Sequence, residues 1–452
     1  MKPGHFIAIF GGAVAGSEAA QELSKQGIHT VVFEQNALPY GKLESGLPKW
    51  HDKLRDRQEN MINEKLKQPL VRFIPNIRLG HDVELNDIIN EWKFSAVLIA
   101  TGAWKDRPLP VPDIEKYLNK NFYYQNGFVQ WFNGNHDPQY KGSPMEVSDN
   151  AIIIGGGLAS LDVAKIVMIE TVLKALKERG IDENLLNLEK KGIARILESH
   201  NLSLEKLGLK GCTLYTRHEI RDMPLNVIPE DATPEEVEKN LSGREKILGK
   251  IQDKFLFNIK PAMQATKIIE ENNTLKGLIF QHVDYADGRY KLIEGTDEHV
   301  YSPMIISAIG SIPAKIPGLP MKDEIYDVEN TDTGRIKGYD NVYAMGNAVT
   351  GRGNIRQSQY HSRQVSENIV DQYLAWQDED YEEIFSTAQD RVDQRLEAIG
   401  ERLKRLPPLT GEQIREIDDR IKRLQQSVGY DGDYDKWIAE HLPPRIEDSL
   451  EH

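Results

Sequence analysis

Two places in the 452-residue chain combine glycines and helix-forming residues in a way that can hold a phosphate. The first, Gly11-Gly12-Ala13-Val14-Ala15-Gly16, follows the strand-like residues 6–10. The second, Gly155-Gly156-Gly157-Leu158-Ala159-Ser160, follows the strand-like residues 151–154. In a dinucleotide site the first glycine permits a tight turn, the second lets the backbone approach the pyrophosphate, and the third lets helix and strand pack closely. The phosphates then face a helix N-terminus, where free N–H groups and the helix dipole favour negative charge. Gly11, Ala13 and Gly16 occupy these positions in the first unit. Ala13 departs from the rule, and its methyl predicts a small displacement of the ligand rather than lost binding. Ser160 takes the third position in the second unit.

What closes each unit separates the two. Residues 30–33 read as a strand ending on Glu34, which is placed to accept hydrogen bonds from a ribose diol. Residues 212–216 read as the corresponding strand of the second unit, but it ends on Arg217-His218, with Arg221 close by. A carboxylate repels a 2′-phosphate, whereas a guanidinium forks onto it. The acidic end therefore fits FAD and the basic end NADP(H).

The elements that must hold these residues follow the same order twice. Residues 17–26 and 161–179 have helical patterns behind the glycines, and the Leu-, Glu- and Lys-rich insertion 180–211 predicts further helix over one sheet face. Runs at 277–283, 290–293 and 303–309, with Asp287-Gly288 as a turn, predict a β-meander returning to the sheet. The fold class expected is α/β, with two Rossmann-like dinucleotide-binding domains and an appended C-terminal helical tail. The FAD-binding domain is discontinuous over 1–115 and 316–377, the NADP-binding domain covers 116–315, and the tail covers 378–449. Residues 450–452 read as the start of an expression-tag scar. In the tail, Leu396, Ile399, Leu403 and Leu406 form one apolar stripe and Ile414, Ile417, Ile421 and Leu424 another, with Pro407-Pro408 between them and a Thr410/Gln413 capping box. This predicts an antiparallel helical hairpin that packs on the body or on a twin subunit in a homodimer.

Composition narrows the chemistry. With 70 acidic and 56 basic residues the formal charge is −14, which argues against nonspecific nucleic-acid binding. The 20 acidic and 11 basic side chains after residue 377 carry most of that excess. No apolar run approaches the ~18–20 residues that span a bilayer, so no membrane span is expected. The start of the chain lacks signal-peptide features, and a cytoplasmic location is expected. The single Cys212 excludes an internal disulfide, a redox dithiol and a cysteine-rich metal site, so electrons must travel through a bound cofactor and no metal is implied.

Further motifs carry a family resemblance. Residues 97–103 contain Ala100-Thr101-Gly102, which resembles the segment closing the FAD site in flavoproteins with two dinucleotide-binding domains. Pro39-Tyr40-Gly41-Lys42-Leu43-Glu44-Ser45-Gly46 followed by His51, and Gly155 to Ser160 followed by Leu161-Asp162-Val163-Ala164, resemble the adrenodoxin-reductase type of ferredoxin–NADP reductase. Gly80 to Val83, Ile309 to Ser311, Val342 to Gly346 and Gly351 to Ile355 match in order. The resemblance implies FAD contacts from Ala15, Lys42, Leu43, Val83, Thr101, Gly102, Gly346, Asn347, Gly353, Asn354 and Ile355. It implies NADP contacts from Gly155, Gly156, Gly157, Leu158, Ala159, Ser160, Arg217, His218 and Arg221. It also implies His51 beside the flavin, assisting proton movement, and Glu230 near the nicotinamide. Trp50, Asn347 and Arg352 depart from the family pattern near the flavin. The small subunit of glutamate synthase shares both nucleotide domains but adds a cysteine-rich domain that this sequence lacks.

The function expected is hydride transfer from NADPH to FAD and then electron transfer to a ferredoxin-like one-electron carrier. NADPH-dependent reduction of a small organic acceptor such as a quinone is the alternative raised by Trp50 and Asn347. A non-catalytic nucleotide-binding protein that engages partners through its tail is the third reading.

Overall fold

The computed structural model describes residues 4–137, 139–225, 232–286, 289–346, 392 and 395–447. Five parallel strands, β1 (Phe6–Phe10), β2 (His29–Phe33), β3 (Val71–Ile74), β4 (Ala96–Ile99) and β18 (Val342–Ala344), form a sheet in the order β18-β4-β1-β2-β3. Both faces of its strands are apolar, as a parallel sheet covered on two sides requires. Ile7, Ile9, Val32 and Leu98 pack on one face beneath α1 (Val14–Lys25) and α3 (Asp52–Leu66). Phe6, Ala8, Phe10 and Val97 pack on the other, with α4 (Leu85–Asn90).

A second parallel sheet runs β6 (Phe122–Tyr124), β14 (Ile305–Ala308), β7 (Ile152–Gly155), β8 (Thr213–Tyr215) and β9 (Asn258–Lys260). Helices α5 (Gln125–Gly134), α6 (Leu158–Lys177) and α10 (Pro234–Phe255) cover one face. The insertion forms three short helices, α7 (Leu185–Lys191), α8 (Ile193–Ser199) and α9 (Leu204–Leu207), which add Leu188, Ile193 and Leu207 to the same core. Cys212 lies in this core too, and burial pushes its thiol pKa up, so it is an inert packing residue. The opposite face is covered by an antiparallel meander of β10 (Met263–Glu271), β11 (Thr274–Ala286), β12 (Arg289–Leu292) and β13 (Glu298–Tyr301). Strands β10 and β13 lie outside the runs that the sequence predicts; β10 pairs with β11 through two register shifts, which break its alternation. The chain passes between the sheets through an antiparallel ribbon of β5 (Lys105–Asp106) and β15 (Ser311–Ile312).

The tail corrects the hairpin expectation. Its two stripes do not pack on each other but on opposite faces of the first sheet. Leu396, Ile399 and Leu403 join the face beneath α1 and α3, whereas Ile417 and Ile421, on the helix Gly411–Ser427, join the other face. Tyr434, Trp437 and Ile438, on the helix Tyr434–His441, return to the first face. The physical reason is that the sheet has two edges: the first stripe's helix is tied to β18, where Arg395 donates to Ala344 O at 3.0 Å, and the second stripe's helix is tied to β3. Gln425 Nε2 donates to Phe73 O at 3.0 Å, and Arg72 pairs with Asp418 at 3.1 Å. The Thr410 capping box forms as the sequence predicts. The C-terminal segment is therefore integral to the first sheet.

Candidate nucleotide-binding sites

In the first unit, β1 runs into the glycine turn and α1 begins at Val14, with extended Ala13 as its N-cap. Gly11 has φ +105°, and a Cβ there would lie 2.4 Å from Ala100 O; at Gly16 it would lie 1.8 Å from Gly11 O. No side chain fits either place. Gly41 and Gly346 also crowd this turn: an added Cβ would meet Ala13 Cβ at 2.9 Å and Ala15 Cβ at 3.2 Å respectively. Gly41 thus makes room for the methyl that replaces the second glycine of the motif.

Glu34 is buried at the end of β2. Its carboxylate accepts the Gly12 N–H at 2.8 Å and the Asn36 N–H at 3.0 Å, which ties the glycine turn to the following loop. Desolvation raises its pKa despite those hydrogen bonds. Asn36 Nδ2 donates to it as well at 3.1 Å, so most of the roughly four acceptor positions of the carboxylate are already engaged, and a ribose diol would share or replace one of these donors. Thr101 and Gly102 follow β4 beside the same turn, and Val83 closes a tight turn by accepting the Gly80 N–H at 2.8 Å.

Lys42 and Leu43 lie on α2 (Lys42–Ser45), directly after Gly41. Leu43 is core, next to Tyr40 and Leu47. Lys42 Nζ reaches the ribbon, bonding Ser311 Oγ at 2.9 Å and Asn126 Oδ1 at 3.1 Å. Burial pulls its pKa down to about 8, against the opposing field of Asp106. His51 is buried at the N-cap of α3. Its neighbour Trp50 inserts into the core of the second unit, 5.2 Å from the Phe132 ring and under the Lys165 ammonium at 4.5 Å. Trp50 is thus an anchor between the two units, which its sequence neighbourhood did not reveal.

In the second unit, β7 leads into the second glycine turn and α6 begins at Leu158, with Gly157 as N-cap. A Cβ on Gly155 would meet Ser160 Cβ at 2.4 Å and Ala308 O at 2.7 Å, while Gly157 is open, its nearest neighbour being Pro224 O at 3.9 Å. Ser160 turns its hydroxyl back to Gly157 O at 2.6 Å. Leu158 packs on the α6 core, and Ala159 is half-buried. Residues 217–218, beyond β8, lie against the turn: a Cβ on Gly156 would sit 2.9 Å from His218 Cδ2. Arg217 is exposed. Arg221 is half-engaged, pairing with Glu238 of α10 at 2.7 Å. Tyr290 of β12 was not anticipated here, because a tyrosine in an alternating strand carries no motif. Glu230, Asn347, Gly353, Asn354 and Ile355 lie outside the described residues, as does Arg352.

Among the described residues no helix is long and apolar enough to cross a membrane. Comparison with known proteins agrees with the architecture. Residues 5–192 match the family model described as pyridine nucleotide-disulphide oxidoreductase. The chain is similar to the mitochondrial NADPH:adrenodoxin oxidoreductase of Arabidopsis thaliana, at 29% identity over 53% of this chain and 50% of that protein. It is similar to the NADPH-ferredoxin reductase FprA of Mycobacterium leprae, at 24% identity over 76% and 78% of the two chains. The match thus spans about half the length of the plant relative and over three quarters of the mycobacterial one. Among solved structures, Mycobacterium tuberculosis FprA in complex with NADPH shares the fold, with a TM-score of 0.63 at 18% identity over 94% of this chain and 91% of that one.

Proposed function

We infer that this chain, a homologue of NADPH:adrenodoxin oxidoreductases and NADPH-ferredoxin reductases, is a flavoprotein reductase that takes hydride from NADPH and passes electrons to a ferredoxin-like one-electron carrier. The observation that carries this reading is the pair of glycine turns with opposite closing charge, Glu34 on the first and Arg217-His218 on the second. The first turn fits FAD, because glycine and alanine line it on every side where a Cβ would collide. Glu34 would hold the ribose and the α1 N-terminus the pyrophosphate. FAD held there would supply a hydride acceptor able to release electrons singly.

The chain's own contribution is alignment and exclusion of water. Lys42, Asn126 and Ser311 brace the ribbon between the units, and Trp50 with Lys165 fixes their second contact. In this reading the FAD-binding domain comprises 1–115 with 316–377 and takes the C-terminal segment as a further layer, 116–315 binds NADP(H), and the protein works in the cytoplasm. The quinone alternative loses one of its two motives, since Trp50 belongs to the core of the second unit.

Anaerobic turnover with NADPH and a ferredoxin, followed through reduction of the iron–sulfur protein, tests the acceptor. Ferredoxin reduction that saturates with carrier concentration is expected. Rapid turnover with quinones and none with ferredoxins would transfer the protein to the alternative.

A further inference from the structure

The NADP(H) reading leaves one aromatic side chain unexplained. Tyr290, on the β12 arm of the meander, touches both residues that close the second nucleotide unit. The Arg217 guanidinium lies over its ring, 4.9 Å from the centroid. Its hydroxyl is 2.6 Å from His218 Nδ1, and the two rings meet edge to face at 5.4 Å and 88°. Tyr285, from β11, packs against the outer side of the Tyr290 ring at 4.8 Å. An extended, exposed arginine is otherwise free to take many rotamers, and ordering it costs entropy. Stacking over an aromatic ring restricts those rotamers while leaving the in-plane N–H fork outward, the edge that a phosphate needs.

The hydroxyl contact orients the imidazole as well. Burial, together with the Arg217 charge, pulls the His218 pKa down to about 4, so the ring is neutral at pH 7. Desolvation raises the Tyr290 pKa, so the phenol keeps its proton. In the tautomer whose Nδ1 accepts the phenol O–H, the imidazole proton sits on Nε2. That nitrogen belongs to the ring edge lying against Gly156, 3.5 Å from where its Cβ would be. One tyrosine thereby contacts both closing side chains, one beside the glycine turn and one beyond it.

We propose that Tyr290 is the positioning residue of the second site, holding Arg217 and His218 in the arrangement that selects an adenosine nucleotide bearing a 2′-phosphate. The proposal rests on the NADP(H) reading above, and its test separates the two. Binding of 2′,5′-ADP and of 5′-AMP is measured by calorimetry on the purified wild-type protein and on Tyr290→Ala, Tyr290→Phe and Tyr290→Leu. Neither ligand requires turnover, so the readout is independent of flavin reduction.

The expected result is that Tyr290→Ala weakens 2′,5′-ADP binding about tenfold while 5′-AMP stays within about twofold. Tyr290→Phe, which keeps the ring under Arg217 but drops the hydroxyl, falls between. Tyr290→Leu keeps bulk without a π-face or hydroxyl and repeats the alanine result should that variant be unstable. Equal weakening of both ligands, or no change in 2′,5′-ADP affinity, overturns the proposal while the wild type still discriminates. A wild-type protein that binds the two ligands equally overturns the NADP(H) reading and the proposal with it.

Discussion

The two nucleotide units share a scaffold and differ in how tightly it is closed. In the first, the glycine positions are forced by backbone contacts, and the closing Glu34 is buried and bonded to the turn it serves. In the second, Gly157 is open, Ser160 stands in for the third glycine, and the closing Arg217 is an exposed side chain resting on Tyr290. A pre-bonded, buried cradle suits a ligand that stays, and an open turn with an exposed cation suits one that comes and goes. The difference matches a resident flavin and an exchanging nicotinamide nucleotide.

The largest expected effect falls mainly on the first unit, although Ile446 also leaves the core of the second. Removing residues 411–447 strips Ile417 and Ile421 from one face of its sheet and Tyr434, Trp437 and Ile438 from the other. It also removes Arg445, which grips Glu44 through two 2.8 Å contacts and Glu59 through another. Each buried aliphatic side chain contributes roughly 2–5 kcal/mol, so the sum exceeds the stability of an ordinary domain. The truncated protein should fail to give soluble, flavin-binding material. Retention of a full flavin complement would show that the segment is an appendage after all.

Next in size is a matched pair of glycine substitutions. Gly16→Ala drives a methyl into Gly11 O and should cost at least ~3 kcal/mol or displace α1, with loss of flavin. Gly157→Ala has room and an ordinary extended backbone, φ −101°, so the fold should keep its stability within about 1 kcal/mol. Thermal unfolding of the two variants checks the contrast, and similar losses would erase it.

Arg217→Ala should lower the preference for NADPH over NADH at least about tenfold, since a fork of charge-assisted hydrogen bonds contributes roughly 1.5–3 kcal/mol. Reductive half-reaction rates with the two nucleotides measure it. An unchanged preference would move 2′-phosphate recognition away from β8.

The smallest effect is on pH dependence. The folded pKa of His218 is depressed to about 4 from an ordinary value of 6.5. The unfolded chain therefore takes up a proton that the folded chain refuses, and this contribution to stability is lost as pH falls from about 6.5 towards 4. His218→Gln should flatten that slope in a series of melting curves. A slope identical to wild type would mean that other groups dominate the acid limb.

The strand–glycine–helix–strand order, both closing charges and the inert cysteine were legible in the sequence, because each depends on residues near one another in the chain. The hairpin expectation failed for a physical reason. The stripes at 396–406 and 414–424 report only that each helix has an apolar face, and the edges of β18 and β3, far away in sequence, decide what each one meets. The amine of Lys42, a residue the resemblance makes a flavin contact, reaches Asn126 and Ser311, partners that no local pattern connects to it. Tyr290 escapes notice in the sequence, and Trp50 reads there only as a departure near the flavin, for the same reason: their roles arise where separate elements meet.

The most direct test of the account is to release and identify the ligand that copurifies with the protein and then mix the anaerobic holoprotein with NADPH or NADH. FAD near one equivalent, with bleaching of its absorbance far faster by NADPH than by NADH, is the predicted result. No bound flavin, or equal bleaching by the two nucleotides, would contradict the assignment of an acidic first site and a basic second one.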